Sequence, residues 1–327
     1  MKKLDFVIAW VDGSDENHRL KRQQFQPENV VKGAAEDTRF AHNDEIYFSI
    51  ASILKYVPYC GTIYIITDHQ QPSFVGEFEA QGLCRSGQIQ VVDHQEIFRN
   101  YQQYLPTFNS LSIESMLWNI KGISNHFIYL NDDFFFNQQS DLSDFLIDGQ
   151  MVIYGHWQAT LIKKMKYIFR KFLQQNFGMV AEAKYSTAQM LSADRVGMTR
   201  YYEIHHRPHI LSRDLLSTYF KNNKELLEQQ IQFKFRNIDQ LLPVGLSNHL
   251  AIQSDQAILK DDIDNAYLKD GRDLEKFILA LSNSEIKFGC IQSLDQLESL
   301  AEGRIRAALI QKFTGFLPSQ IQPTTVV

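Results

Sequence analysis

Four short β-branched and aromatic runs each lead into a carboxylate, and this series constrains the fold more than any other feature of the chain. They are "LDFVIAWV" at residues 4–11, ahead of Asp12-Gly13-Ser14-Asp15; "GTIYIITD", ending at Asp68; "GQIQVVDH", with Asp93; and "HFIYLNDD", ending at Asp132 and Asp133. Runs this short and apolar read as buried strands. Two segments with helical spacing lie among them. In residues 43–57 the apolar positions are Ile46, Ile50, Ile53, Leu54 and Val57, with Asn43 or Asp44 as a cap and Pro58 as a stop; the other segment is "SLSIESMLWNI". Strand, helix, strand, strand, helix, strand predicts an α/β layer with a mostly parallel sheet. Ligands of open α/β sheets sit at the carboxyl ends of the strands, which predicts that Asp12, Asp68 and Asp132 share one rim.

The 327 residues suggest about two domains, or one with an added lobe. The net charge is −5 and the pI about 6.1, so no overall basic field favours nucleic acid, and any anion site must be local. Cys60, Cys84 and Cys290 have neither metal-type spacing nor an even number, which favours a reducing compartment. The N-terminal run mimics a signal peptide, but Asp5 interrupts it and no cleavage-type sequence follows. No run approaches the roughly 18 apolar residues of a membrane span.

The pattern changes near residue 150. "TLIKKMKYIFRKFLQQNF" is basic and aromatic, with Leu161, Met165, Ile168 and Phe172 on one helical face. Either it rests on an anionic membrane surface, or it packs its apolar face on the core and leaves its basic side solvated; the second arrangement is the expected one. Residues 214–235 and 293–313 also have helical spacing. The expected organisation is an α/β part over residues 1–150 and a mainly helical part over 151–327, forming one compact catalytic unit.

Several residues can carry chemistry. Asp132 and Asp133 suit a hard cation such as Mg²⁺ or Mn²⁺, with substrate phosphates completing the shell, or they simply cap a turn. Asp12-Gly13-Ser14-Asp15 is either a plain turn with a helix cap at Ser14 or Asp15, or a turn whose backbone approaches a nucleotide. His205, His206 and His209 surround Pro208, which interrupts a helix and weakens any zinc pair. A histidine beside a phosphate site can instead take a proton near neutral pH. Arg39 and Arg236 offer forked donors that match phosphate oxygens, although an ordinary surface arginine looks the same in sequence.

Taken in order, "FVIAWVDGSD", "RFAHNDEIYFSIASILKYVPY", "IYIITDHQQPSF", "LPTFNSLSIESMLWNIKGISNHFIYLNDDFFF" and "HHRPHILSRDLL" resemble the Stealth family. That family includes bacterial capsule and exopolysaccharide sugar-phosphate transferases and the catalytic subunit of the animal enzyme that makes the mannose-6-phosphate tag. The resemblance implies a sheet of the nucleotide-sugar-transferase type. It also implies transfer of a hexose- or N-acetylhexosamine-1-phosphate from a UDP-sugar to a saccharide hydroxyl, with release of UMP. It places Asp132, with Asn131 and Asp133, at metal and pyrophosphate, or Asp132 at the nucleophile. It makes His206 the general base, with His209 on the substrate side, and Arg236 a phosphate clamp. Asp12 and Gly13 fall at the nucleotide, while Asn109 and Ser110 fall in the donor pocket. The family's closing motif, Cys-aliphatic-Asn-Asp, reads Cys290-Ile291-Gln292-Ser293 here, so no role is carried over to it. The implied setting is cytoplasmic, at most peripheral to the inner membrane face, with a free or lipid-linked acceptor. The rival enzyme is a metal-dependent glycosyltransferase that releases UDP; a binding protein without turnover is the non-enzymatic alternative.

Overall fold

Leu4, Phe6, Val7 and Ile8 are completely buried, and the strand they form, β1 (Leu4–Ala9), is the middle of the main sheet. The computed structural model describes residues 2–26, 43–179, 183–292 and 294–321. β1 lies between β2 (Cys60–Thr67) and β4 (His126–Asn131), parallel to both, and β3 (Ile89–Asp93) continues the sheet beyond β2. β10 (His209–Ser212) closes the other edge antiparallel to β4. Ala9 pairs with both Ile66 and Asn131, so three carboxyl ends finish level. Asp5, out of place in an apolar strand, is explained at the opposite end of the sheet. Its carboxylate accepts the Thr62 and Ser124 amides at 2.9 and 2.8 Å, fastening β1 to the start of β2 and to the segment before β4.

The three phenylalanines after Asp133 form β5 (Phe134–Phe136), which pairs antiparallel with β13 (Phe288–Ile291); β12 (Asn265–Leu268) flanks β13. The Phe136 ring lies 5.9 Å from Phe6 and 5.5 Å from Phe288, and the Phe135 ring lies 6.2 Å from both Phe277 and Phe313. Each such buried ring contributes roughly 1.5–3 kcal/mol relative to exposure. Residues 151–327 are therefore not only helical: β10 and β13 pair with strands from the first 150 residues. Two smaller sheets complete the chain. One is β6 (Leu146–Ile147), β7 (Gln150–Tyr154) and β11 (Ala257–Lys260); the other is β8 (His156–Ala159) with β9 (Arg200–Glu203).

The helix expected over 43–57 spans Glu45–Tyr56, and Asp15 caps Glu16–Phe25 by accepting the His18 amide at 2.7 Å. "SLSIESMLWNI" departs from expectation, giving Ser110–Glu114 and a separate 3-10 turn at Leu117–Asn119. Side chains draw off its carbonyls: Ser115 Oγ bonds the Leu111 oxygen at 2.7 Å, and Trp118 Nε1 the Ser115 oxygen at 2.8 Å. The expected 214–235 helix is Arg213–Asn222 followed by Lys224–Ile231, and the last helix is Ser299–Lys312.

The helix Thr160–Phe177 overturns the expected packing: its apolar face is outside. Its inner side meets acidic partners instead. Lys163 pairs with Glu203 at 3.3 Å, Lys164 with Asp194 at 2.5 Å and Lys171 with Asp239 at 3.0 Å.

Candidate active site

The level strand ends form one wall of a cavity of about 710 Å³, and residues 183–188, 206–209 and 236–244 supply much of the opposite side. Asp68, Asn131, Asp132 and Asp133 stand on the rim, and Glu45, in the first turn of its helix, joins them. Burial, then the charges of Asp133 and Glu45, push the Asp132 carboxyl well above the usual range. Burial raises Asp133 to about 6 and Glu45 to about 7. The Cys290 thiol lies 3.4 Å from Asp133 Oδ2, whereas Asp133 Oδ1 is buried without a hydrogen-bond partner among the described residues. Adjacent half-neutralised carboxylates with an orphaned oxygen fit a hard divalent cation that completes its shell with substrate and water oxygens.

Among the described residues, two other groups bring three metal-ligating residues together, but in each the carboxylate already has partners. In His156–His205–Asp262, the aspartate is held by His156 Nδ1 at 2.5 Å and Arg207 Nη2 at 3.0 Å. In Asp68–His69–Asp93, Lys21 binds Asp68 at 2.7 Å and the His69 amide donates to Asp93 at 2.7 Å.

His206 reaches the cavity between Tyr185 and Tyr267, with ring centroids 4.8 and 6.4 Å away, and Phe134 meets its edge at 6.1 Å. Burial, then Arg236 and His205, lower its pKa, so the imidazole is neutral at pH 7. His209, the first residue of β10, is buried in the cavity wall; burial, Arg207 and His206 bring it to about 3. His205 is exposed and lies 3.4 Å from Asp262, outside the cavity lining.

A polar chain runs from Arg236 towards the carboxylates. Arg236 Nη2 donates to Ser110 Oγ at 2.7 Å. Arg236 also offsets the burial that raises Glu114 to about 7. The Tyr129 hydroxyl lies 3.3 Å from Glu114 Oε1 and donates to Asn131 Oδ1 at 2.8 Å. With its oxygen engaged, Asn131 presents its amide nitrogen as a donor.

Asn109 is completely buried behind this wall and does not line the cavity. It donates to the Phe233 carbonyl at 3.2 Å and Gln240 Oε1 at 2.8 Å, holding the loop that carries Arg236. Asp12 does not line the cavity either. Its carboxylate accepts the Ser14 amide and hydroxyl at 2.9 and 2.6 Å, and Gln70 ties its backbone beside Asp68. Gly13 follows in the same turn, and Arg39 lies outside the described residues. Glu45, Glu114 and Tyr185 were not singled out from sequence, and Cys290 was named without a role. Glu45 and Glu114 had a usable signal, from their places in "RFAHNDEIYF" and "SLSIESMLWNI".

Residues 39–153 match Stealth protein conserved region 2. Over this region the chain is similar to the Stealth family. The capsular polysaccharide phosphotransferase cps1A of Actinobacillus pleuropneumoniae is 39% identical over 145 residues, covering 43% of this chain and 38% of the relative. The capsular polysaccharide phosphotransferase LcbA of Neisseria meningitidis is 41% identical over 137 residues, 41% of this chain and 35% of the relative. The exopolysaccharide phosphotransferase SCO2592 of Streptomyces coelicolor is 33% identical over 218 residues, 66% of this chain and 21% of the relative. The chain thus spans little more than a third of the first two relatives and about a fifth of the third. Among solved structures, the bifunctional glycosyltransferase WbbM aligns with TM-score 0.46 at 8% identity, covering 96% of this chain and 50% of that one.

Proposed function

We propose that this protein transfers a hexose- or N-acetylhexosamine-1-phosphate from a UDP-sugar to a hydroxyl of an acceptor saccharide, releasing UMP, in the synthesis of a cell-surface polysaccharide. The observation that carries this reading is one cavity holding a histidine with a lowered pKa, an arginine and an adjacent carboxylate pair at the end of β4. Phosphoryl transfer asks for those three things: a proton acceptor, fixed positive charge, and neutralisation of the diphosphate.

In this reading Asp132 and Asp133 hold a Mg²⁺ or Mn²⁺, which when bound offsets diphosphate charge. The UDP-sugar lies along the rim, with Asn131 donating to it and the Arg236 guanidinium against its phosphates. The acceptor hydroxyl oxygen bonds to the β-phosphorus, the bond from that phosphorus to the bridging oxygen breaks, and UMP leaves with the electron pair. His206 takes the hydroxyl proton. Its two tyrosine neighbours fix the ring plane, and its lowered pKa keeps it ready to accept. The anomeric bond is untouched, so its configuration is kept. Glu114 and Ser110 position Arg236 rather than contact the reacting atoms.

The test is a panel of UDP-sugars and saccharide acceptors with Mg²⁺ or Mn²⁺, read by nucleotide product and phosphorus NMR. UMP with a new phosphodiester supports the proposal. UDP with a phosphate-free glycoside replaces it with glycosyl transfer.

A further inference from the structure

The helix Thr160–Phe177 is amphipathic with its faces reversed relative to a globular protein. It has five basic residues and no acidic one. Its polar stripe is docked: beyond the three lysine pairs, the Tyr167 hydroxyl donates to Asp239 at 2.8 Å and Lys163 sits 4.8 Å from the centre of the Tyr201 ring. Its apolar stripe faces out, with Leu161, Ile162, Met165, Ile168, Phe169 and Phe172 each 52–67% exposed. Phe177 and Met179 extend the stripe at 67% and 55%. A contiguous apolar surface of this kind marks an interaction face, because water alone penalises it.

Charge selects the occupant. Lys166 borders the stripe on the helical wheel, Arg170 follows it one position further round the same side, and neither forms an ion pair among the described residues. A second copy meeting this face would set like charges against like charges. An anionic bilayer surface offers both complements: a hydrocarbon boundary for the stripe and lipid phosphates for its basic border. The helix is about 27 Å long at ~1.5 Å per residue, long enough to lie flat on the surface. No helix among the described residues is long and apolar enough to cross a membrane. We propose that the Thr160–Phe177 helix is a docking surface for an anionic lipid membrane, held to the protein by Glu203, Asp194 and Asp239.

The test is co-sedimentation of the full chain with vesicles of phosphatidylcholine alone or mixed with phosphatidylglycerol. The expected result is pelleting with the anionic vesicles only, weakened by salt. Both Phe169→Glu/Phe172→Glu and Lys166→Glu/Arg170→Glu should reduce binding on the order of tenfold or more, with melting temperatures unchanged. The charge-reversal pair keeps the test independent of any folding defect in the phenylalanine variant. Failure of the wild-type chain to pellet with anionic vesicles overturns the proposal, as does binding indifferent to either variant. A dimer in solution that Phe169→Glu dissociates, without vesicle binding, reassigns the face to a second copy.

Discussion

His206 has aromatic neighbours on two faces and one edge. That packing holds the ring with no carboxylate partner among the described residues to raise its basicity. His206→Ala should therefore lower kcat/KM by about 10²–10⁴-fold with little change in melting temperature. In the wild-type chain the acid limb of kcat/KM should lie below pH 6.5, because the imidazole pKa is lowered and the base form is lost only as pH falls through it. A pH–rate profile with the limb above neutrality would remove His206 from that role. The carboxylates act in the opposite sense. Glu45 and Asp133 have raised values of about 7 and 6, so the folded chain holds protons that the unfolded chain releases. Their contribution is most favourable below about pH 4 and declines as pH rises towards 7. Asp132→Asn should consequently abolish transfer yet raise stability near pH 8, by on the order of 1 kcal/mol. Mg²⁺ or Mn²⁺ should raise the wild-type melting temperature at pH 8 far more than at pH 5, and should leave Asp132→Asn/Asp133→Asn unmoved. Asp132, His206 and Arg236 were visible because motifs surround them. Glu45 and Glu114 also lie in quoted motifs but were passed over, since one glutamate in a helix reads as a solvated face until the fold turns it inward.

The elements around the site depend on close fits that local patterns do not reveal. A Cβ on Gly289 would come within 2.1 Å of the Phe135 ring, and Gly289 pairs with Phe135 across β13 and β5. Gly289→Ala should force those strands apart and cost about 1–3 kcal/mol in denaturant unfolding. It should also disturb Asp133, whose neighbouring thiol is on the next residue. Asn109→Ala leaves Gln240 and the Phe233 carbonyl short of a partner, which should cost about 1–3 kcal/mol. It should also lower kcat/KM by loosening Arg236, a loss that added phosphate-rich substrate will not restore. The strands leading to carboxylates were legible because each is a short, mostly apolar run of β-branched and aromatic residues. β10, β12 and β13 are four-residue strands whose pairing is long-range, so no window of sequence contains the reason for them. The 160–177 helix was legible as amphipathic but not in its orientation. Polarity alone places apolar faces inward, and the partners that reverse it, Asp194, Glu203 and Asp239, come later in the chain.

At the scale of the molecule, residues 1–150 share sheets and core with the rest of the chain. They leave Phe135 and Phe136 waiting for Phe277, Phe288 and Phe313, and β4 waiting for β10. Expressed alone, a 1–150 fragment should lack dispersed amide resonances and bind an apolar dye; a well-dispersed spectrum would show an independent domain. The direction of β10 has a further consequence. A parallel strand delivers to the rim the residues that come after it, as β4 delivers Asp132 and Asp133. An antiparallel neighbour reverses the order of arrival and delivers the residues that come before it, which is where His206 stands relative to His209. The two halves of the proposed chemistry thus approach the same edge from opposite chain directions. Lengthening the turn after β4 would move the carboxylates and leave the histidine in place, whereas inserting residues between His206 and His209 would do the reverse.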